Sequence, residues 1–280
     1  MATTPLNQTN LANYIPTLWA KEVQAAVENS LVCGKLVDRS YESLSKGGGG
    51  TIVVPILSNI SAAAYNAAAD ISYTTTNESA VNITINQRYY AAYGVDPFTQ
   101  IQDALNYFEK AKGKLSYALA KQIDTGVNGK FNSFSNSVGT EGTALGIDQM
   151  IGAYESLNEN DAPFDGRAWI FDPESITDLM GLDFFVRMDY VPGSVSANGF
   201  QGRQILGSPV YMTNNLTAIN TNYHAATYMH KEALALVIQG TPDIKLAYDT
   251  RRISDVLIVK ALWGQQIMRN GFGVWIKTRS

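Results

Sequence analysis

The chain has 280 residues, of which 45% are hydrophobic and 16% are charged, and its formal net charge is −4. This length can bury a substantial hydrophobic core in one large domain or two. The charged fraction is below the roughly 25% of ordinary soluble domains, and the acidic balance disfavours a strongly basic nucleic-acid-binding protein.

The N-terminal part, residues 1–46, predicts an arm followed by a short helix. Residues 1–16 are polar and end at Pro16, as in an extended arm. In residues 17–32, Trp19, Val23 and Val27 repeat at helical spacing. Gly34 is suited to end that helix.

The next segment, residues 47–93, predicts a long hairpin with little charge. Residues 47–50 are four glycines, which indicate a flexible hinge. They are not followed by the Gly-Lys-Ser/Thr of a phosphate loop, and a strand follows them instead of a helix. Residues 51–57 and the alternating Val81, Ile83 and Ile85 predict strands that lead out and back. Residues 47–87 contain no Lys or Arg.

The strongest helix signal follows this segment. Thr99 and Gln102 match a capping box, and Gly126 is suited to end the helix after about 27 residues. Lys112 falls inside the apolar stripe, so its side chain must extend to solvent or find a partner there.

A basic face opposes that stripe. Lys110, Lys114 and Lys121 lie within about 40° of one another at helical spacing. Two interpretations stay open: a solvated face, or a surface that meets acidic partners or DNA phosphates without sequence readout.

The C-terminal half alternates helices and strands and indicates an α+β fold. Residues 147–157 predict a helix, 167–171 a buried strand, and Asp172 the cap of a further helix. The glycines in residues 192–207 predict a loop. Further strands are predicted at 208–213, 233–238, 243–248, 253–263 and 273–278, and Asn270-Gly271 signals a hairpin turn.

Residue patterns for chemistry are sparse. His224 and His230 have no set of acidic or thiol ligands beside them, and Cys33 has no motif around it. The acidic loop at residues 158–165 lacks EF-hand spacing. We therefore predict no catalytic residue, metal site or cofactor, and a protein that is not an enzyme. One cysteine excludes an intrachain disulfide, and neither a signal peptide nor a membrane span is predicted.

The order of these parts resembles the major capsid proteins of tailed double-stranded DNA bacteriophages, which have the HK97-like fold. The resemblance covers nearly the whole chain and is architectural, because none of its pieces is a strict signature. The pieces are NYIPTLWAKEVQAAVENSLVCGKLVDRSYE, the segment at 47–93, the long helix from Thr99, GRAWIFDPESITDLM, LGSPVYMTNNL and ISDVLIVKALWGQQIMRNGFGVWI.

The resemblance implies a division of the chain. Residues 1–46 are then the N-terminal arm and short helix, and residues 47–93 the extended loop that lies over a neighbouring subunit. Residues 94–140 and 241–280 form the peripheral domain around the long spine helix. Residues 141–240 form the axial domain, whose loops meet around the hexamer and pentamer axes.

The resemblance also implies function and partners. The protein is expected to assemble as hexamers and pentamers into an icosahedral virion shell around double-stranded DNA, inside the host bacterial cytoplasm. Expected partners are further copies of itself, a separate scaffolding protein, a portal, a decoration protein and DNA contacted without sequence readout, with no membrane. The basic helix face is expected toward the lumen or a subunit. Intersubunit contacts are expected at Gly47, Gly50, Ile52, Val54, Tyr65, Asp70, Tyr73, Glu78, Ile83 and Ile85.

The sequence departs from the family pattern in two features, and two alternative functions stay open. Some members of the family carry a long N-terminal scaffolding segment, whereas this sequence goes almost directly into the arm. We therefore expect either a separate scaffolding protein or a segment removed before this sequence begins, and Met1 favours the former. Residues 47–87 lack the lysine with which some members cross-link subunits, so no isopeptide bond is expected. An encapsulin-like shell, which holds enzymes instead of DNA, shares the fold. A phage carbohydrate-binding or depolymerising β-protein needs repeats or paired carboxylates, which the sequence does not show.

Overall fold

The computed structural model describes residues 31–56, 62, 64, 79–95, 107–182, 204–216, 218–220, 223–251 and 254–279. Within these ranges the helices are α1 (Tyr107–Asn128), α2 (Ile147–Glu159) and α3 (Pro173–Met180). The strands are β1 (Thr51–Ile56), β2 (Ser79–Thr84), β3 (Gln87–Val95), β4 (Asn136–Val138), β5 (Arg167–Phe171), β6 (Gln204–Ile205), β7 (Ser208–Met212), β8 (Ala218–Asn220), β9 (Tyr223–His230), β10 (Leu234–Asp249), β11 (Ser254–Ile267) and β12 (Gly273–Lys277). None of the described helices is both long and apolar enough to span a bilayer.

The described strands form three sheets. A seven-stranded sheet has the order β4-β12-β9-β5-β7-β6, with β8 paired to β9. Its β4–β12 and β5–β7 pairs are parallel, whereas β9 runs antiparallel to β5 and β12. A three-stranded antiparallel sheet has the order β10-β11-β3, and β1 and β2 form a separate hairpin.

The centre of the seven-stranded sheet is buried on both faces. Trp169 and Phe171 of β5 pack with α2 and α3 on one side, whereas Ile170 between them belongs to the core of α1. All five residues of β5 are buried, which explains why its sequence is an unbroken apolar run after Arg167. The Trp169 ring stacks on Tyr228 of β9 at 3.8 Å between centroids.

Helix α1 lies across the three-stranded sheet. Its stripe of Leu115, Leu119 and Ile123 is buried in one cluster with Leu257 and Val259 of β11. Lys112 is also buried, at 5% exposure, so of the two outcomes expected for it, extension to solvent is excluded. The proposed cap, Thr99 and Gln102, lies outside the described residues.

The predicted end of α1 at Gly126 is wrong, because the helix continues to Asn128. Gly126 has a packing role instead. A Cβ at this position would lie 3.1 Å from Gln265 Nε2 and 3.3 Å from Trp263 Nε1. The glycine lets helix and sheet approach closely.

Two strand predictions near the C-terminus need correction. The stretches at 233–238 and 243–248 belong to one strand, β10, with a register shift between Gln239 and Asp243 where Gly240 has φ 74°. Such an irregularity bends a strand without ending it. The hairpin expected at Asn270-Gly271 is also wrong. Residues Asn270–Phe272 form a 3-10 turn that carries the chain from β11 into the other large sheet, where β12 pairs with β9 and β4.

Strand pairing also crosses the expected domain limits. Strand β12, inside the segment 241–280 assigned to the peripheral domain, pairs with β9 of the segment assigned to the axial domain. Strand β10 runs through residue 240 without a break. Residues 87–93, assigned to the extended loop, belong to β3 and pair with β11.

Candidate functional site: the β1–β2 hairpin and the lysine face

The predicted outward and returning strands are present as a regular hairpin. Strands β1 and β2 are antiparallel, with Thr51 opposite Thr84 and Ile56 opposite Ser79. Six residues in each strand give a ribbon about 20 Å long at the usual rise of a strand. The hairpin ends at Thr84, since the chain then enters the three-stranded sheet.

The glycine segment forms the base of this hairpin. Gly48 and Gly49 have φ of 82° and 110°, a backbone region in which other residues are strained. A Cβ at either glycine would meet nothing within 4 Å, so the backbone conformation and not crowding requires glycine. The Gly50 carbonyl accepts a hydrogen bond from the Ile85 N–H at 2.8 Å, which closes the base.

A side chain from β10 holds the same base from outside. The Gln239 Nε2 amide lies 3.3 Å from the carbonyl oxygens of both Ser45 and Gly49. Ser45 belongs to the 3-10 helix Ser40–Gly47, so Gln239 joins the segment before the glycines to the segment within them.

Four of the predicted contact residues anchor the hairpin to its own chain. Val54, Ile83 and Ile85 are buried in one cluster with Ala235 and Val237 of β10, and Ile52 packs against that cluster. These side chains therefore fill an intrachain core. Of the other predicted contact residues, Gly47 ends the 3-10 helix and Gly50 directly precedes β1, and Tyr65, Asp70, Tyr73 and Glu78 lie outside the described residues.

Backbone proximity reinforces this anchor. Gly264 of β11 lies directly beneath the hairpin base, and a Cβ there would be 2.4 Å from the Thr84 carbonyl oxygen and 2.9 Å from the Ile85 Cα. Only a residue without a side chain allows this crossing. No motif in the sequence distinguished Gly264 from other strand glycines.

The outer surface of the hairpin is uncharged. Val53 is 60% exposed, and the twelve residues of the two strands include no Asp, Glu, Lys or Arg. The exposed residues are Thr51, Val53, Pro55, Ser79, Ala80, Asn82 and Thr84.

A cleft of about 370 Å³ runs beside β1 and is bordered by acidic groups. Its walls include Val54 and Ile56 of the hairpin, with Asp38, Tyr41 and Glu232 opposite. Burial raises the pKa of the Tyr41 hydroxyl, and the nearby charges of Asp38 and Glu232 raise it further. Arg269 at 3.6 Å from Glu232 partly compensates these acids.

The chain entering from the N-terminal segment is tied to α1 by a buried carboxylate. Asp124 accepts hydrogen bonds at 2.9 Å from the backbone N–H groups of Val32 and Gly34. Burial raises the pKa of Asp124, although these bonds act in the opposite direction. Cys33 lies between the two donors, and burial raises the pKa of its thiol well above the ordinary value.

The basic face of α1 is exposed to solvent. Lys114 and Lys121 are exposed, and Tyr117 between them is 60% exposed; we call these three residues the lysine face. Among the described side chains, no carboxylate forms an ion pair with Lys114 or Lys121. Lys110 occupies the same helix, but its side chain is outside the described set.

The remaining polar candidates make structural contacts. Buried Arg167 closes the acidic loop at 158–165, donating to the Pro163 carbonyl at 2.9 Å and to Asn158 Oδ1 at 2.8 Å. His230 Nε2 lies 2.8 Å from the carbonyl oxygen of Asp165, and His224 Nδ1 lies 3.4 Å from Asp172 Oδ2. Within the described ranges, no three His, Cys, Asp or Glu side chains are grouped to hold a metal ion.

The comparisons with known proteins identify the fold. No protein-family model matches the sequence, and no curated protein matches it. A structure from Mycobacterium phage Che8 superposes with a TM-score of 0.74 at 19% identity, covering 88% of this chain and 90% of that one.

Two capsid structures show the same likeness. The capsid of cyanophage P-SCSP1u has a TM-score of 0.67 at 12% identity, covering 82% of this chain and 84% of that one. The capsid of a native GTA particle has a TM-score of 0.66 at 11% identity, covering 87% and 92%. The class is therefore defined by architecture: an α+β fold shared with phage capsid structures. This chain has the HK97-like fold that its sequence predicts.

Proposed function

We propose that this chain is the major capsid protein of a tailed bacteriophage, which assembles as hexamers and pentamers into an icosahedral shell around double-stranded DNA. The observation that carries the proposal is the correspondence with capsid structures over more than four fifths of both chains. A shared fold alone does not specify function. The surface of the β1–β2 hairpin gives separate support for assembly into a shell.

The hairpin has the properties that a repeated subunit contact needs. An uncharged surface can be covered by a neighbour without leaving a lone charge desolvated, which is costly. Strand edges supply main-chain hydrogen bonds that do not demand particular side chains. The buried Val54, Ile83 and Ile85 hold the base of the hairpin on its own chain, so the uncharged strands project from a fixed base.

The same proposal assigns partners and place. Assembly takes place in the host cytoplasm with a separate scaffolding protein, and a portal and decoration protein complete the virion. Contacts with packaged DNA are independent of sequence. Because residues 47–87 contain no lysine, the mature shell carries no isopeptide cross-link from this segment.

Electron microscopy of the chain, expressed with its scaffolding protein, tests the proposal. Closed shells are expected, and nuclease-protected DNA inside native particles distinguishes a capsid from an encapsulin-like compartment filled with protein. If the chain stays monomeric in the presence of its scaffolding protein, the capsid assignment is wrong.

A matched variant tests the hairpin separately. Residues 57–78 are replaced by Asn-Gly, which joins Ile56 to Ser79 through a tight turn compatible with paired strands. The anchor at Val54, Ile83 and Ile85 is retained, so the variant should fold and yet fail to form stable shells. Normal shells from this variant would show that residues 57–78 are not needed for assembly, and the capsid assignment would still stand.

A further inference from the structure

The lysine face is a rigid surface with its charges set at a defined spacing. Lys114 and Lys121 are seven residues apart, which corresponds to about 10 Å along a helix, and Tyr117 lies between them on the same side. The opposite side of α1 is buried in the main core, through Leu115, Leu119 and Ile123 among others. These side chains therefore share a fixed platform.

The C-terminal end of this platform is held by a loop. Asn215 Nδ2 donates to the Lys121 carbonyl at 2.8 Å, and Thr125 Oγ1 donates to Asn215 Oδ1 at 3.0 Å. These bonds engage the Lys121 backbone and the Thr125 hydroxyl and do not involve the Lys121 ammonium. The nearest acid in this part of the helix, Asp124, is 4% exposed and is engaged by backbone N–H groups.

Gly113 leaves the backbone of α1 accessible beside the lysines. It is an exposed residue within the helix, and a Cβ there would meet nothing within 4 Å. Glycine weakens a helix interior relative to alanine, and no packing among the described residues requires it. The exposed Ala118 is also small. A partner can therefore approach close to the helix backbone beside the lysines.

We infer that the lysine face contacts phosphate groups of the enclosed duplex DNA, without reading its sequence. Lysine and tyrosine side chains are common donors to DNA phosphates. Lysine is depleted at protein–protein interfaces, which rely on a central apolar or aromatic cluster, and this face offers Tyr117 alone. The inference rests on the proposed function for the DNA, but the contact is measurable on the unassembled chain.

The test is the salt dependence of binding to a short DNA duplex, measured by fluorescence anisotropy with the full unassembled chain. Each phosphate contact contributes about 0.9 to the slope of log K against log salt concentration. The double variant Lys114→Gln/Lys121→Gln should lower the magnitude of that slope by about 1.8. The matched control, Lys46→Gln/Lys231→Gln, removes two other exposed lysines and should leave the slope unchanged. Lys114→Arg/Lys121→Arg keeps both charges and should retain the slope.

Three results would overturn the inference: an unchanged slope in the Lys114→Gln/Lys121→Gln variant, an equal loss in the control pair, or a variant that loses binding to poly-glutamate while keeping its DNA slope. The last result would assign the face to an acidic protein. Electron microscopy of the parent chain expressed with its scaffolding protein keeps the two proposals apart. Missing shells there would refute the capsid assignment, whereas the slope measured on the unassembled chain decides whether this face binds DNA.

Discussion

Replacing Gly264 by alanine tests whether the hairpin base is held by backbone contact with β11. The added methyl group would lie 2.4 Å from the Thr84 carbonyl oxygen, whereas ordinary contacts begin at about 3.4 Å. The obstacle is backbone, so no side-chain rotation relieves it, and the hairpin base must move by about 1 Å.

The cost can be bounded from the same geometry. Overpacking a filled site costs about 1–3 kcal/mol. Full release of the base would forfeit the burial of Val54, Ile83 and Ile85, at about 1.5–3 kcal/mol each. Against this, Gly→Ala reduces the entropy of the unfolded chain and returns about 0.4–1 kcal/mol. We expect a net loss of about 3 kcal/mol in the free energy of unfolding.

Urea unfolding followed by circular dichroism measures this loss, with Gly113→Ala as the matched control. Gly113 is exposed within α1 and has open space around it, so alanine should stabilise the protein by about 1 kcal/mol through helix propensity. The same substitution therefore has opposite signs at the two sites. If Gly264→Ala stays within about 0.5 kcal/mol of the parent while Gly113→Ala behaves as expected, the hairpin base is not packed on β11 as described.

Three further predictions concern the buried polar groups. Burial raises the pKa of Asp124, so its contribution to stability is full below the ordinary pKa of about 3.9 and is lost as pH rises through the raised value. Asp124→Asn should therefore show a smaller decline in the free energy of unfolding between pH 4 and pH 7 than the parent, and an equal decline would contradict this reasoning. Cys33 is buried with a raised thiol pKa, so a thiol reagent at pH 8 should modify it only in urea; rapid labelling of the native chain would show that the segment opens. Arg167→Met should cost about 2–4 kcal/mol in urea unfolding, because the carbonyls of Ala162 and Pro163 lose their donor inside the fold. Lys130→Met, at a partly exposed site, serves as the comparison and should change stability by under about 0.5 kcal/mol.

Local pattern predicted much of the secondary structure. The alternation of Val81, Ile83 and Ile85 identified β2, because side chains of a strand point alternately to two faces and only one face is buried here. The apolar stripe of α1 identified its buried side, including the position of Lys112. The order of the parts along the chain was enough to predict the HK97-like fold.

Other elements could not be identified because their character depends on distant residues. Strand β9 has the sequence YHAATYMH, whose apolar residues do not alternate, since both of its faces are covered by cores from different parts of the chain. The sequence around Gly126 and Gly264 does not indicate why either position needs glycine. One lies inside a helix against Trp263, and the other beneath the Thr84 carbonyl, and neither ends its element.

The sequence alone determined three features: the low charge of residues 47–87, the basic face of α1, and the order of helices and strands. Each of them depends on residues that are close together along the chain. Tertiary structure alone decided that Val54, Ile83 and Ile85 anchor the arm to β10, and that β11 and β12 enter different sheets. The first outcome depends on side-chain packing between residues at least 150 positions apart, and the second on a turn whose direction no local pattern specifies. The physical reason is that side-chain packing and strand register depend on contacts between segments that are distant in sequence, and such contacts exist only in the folded chain.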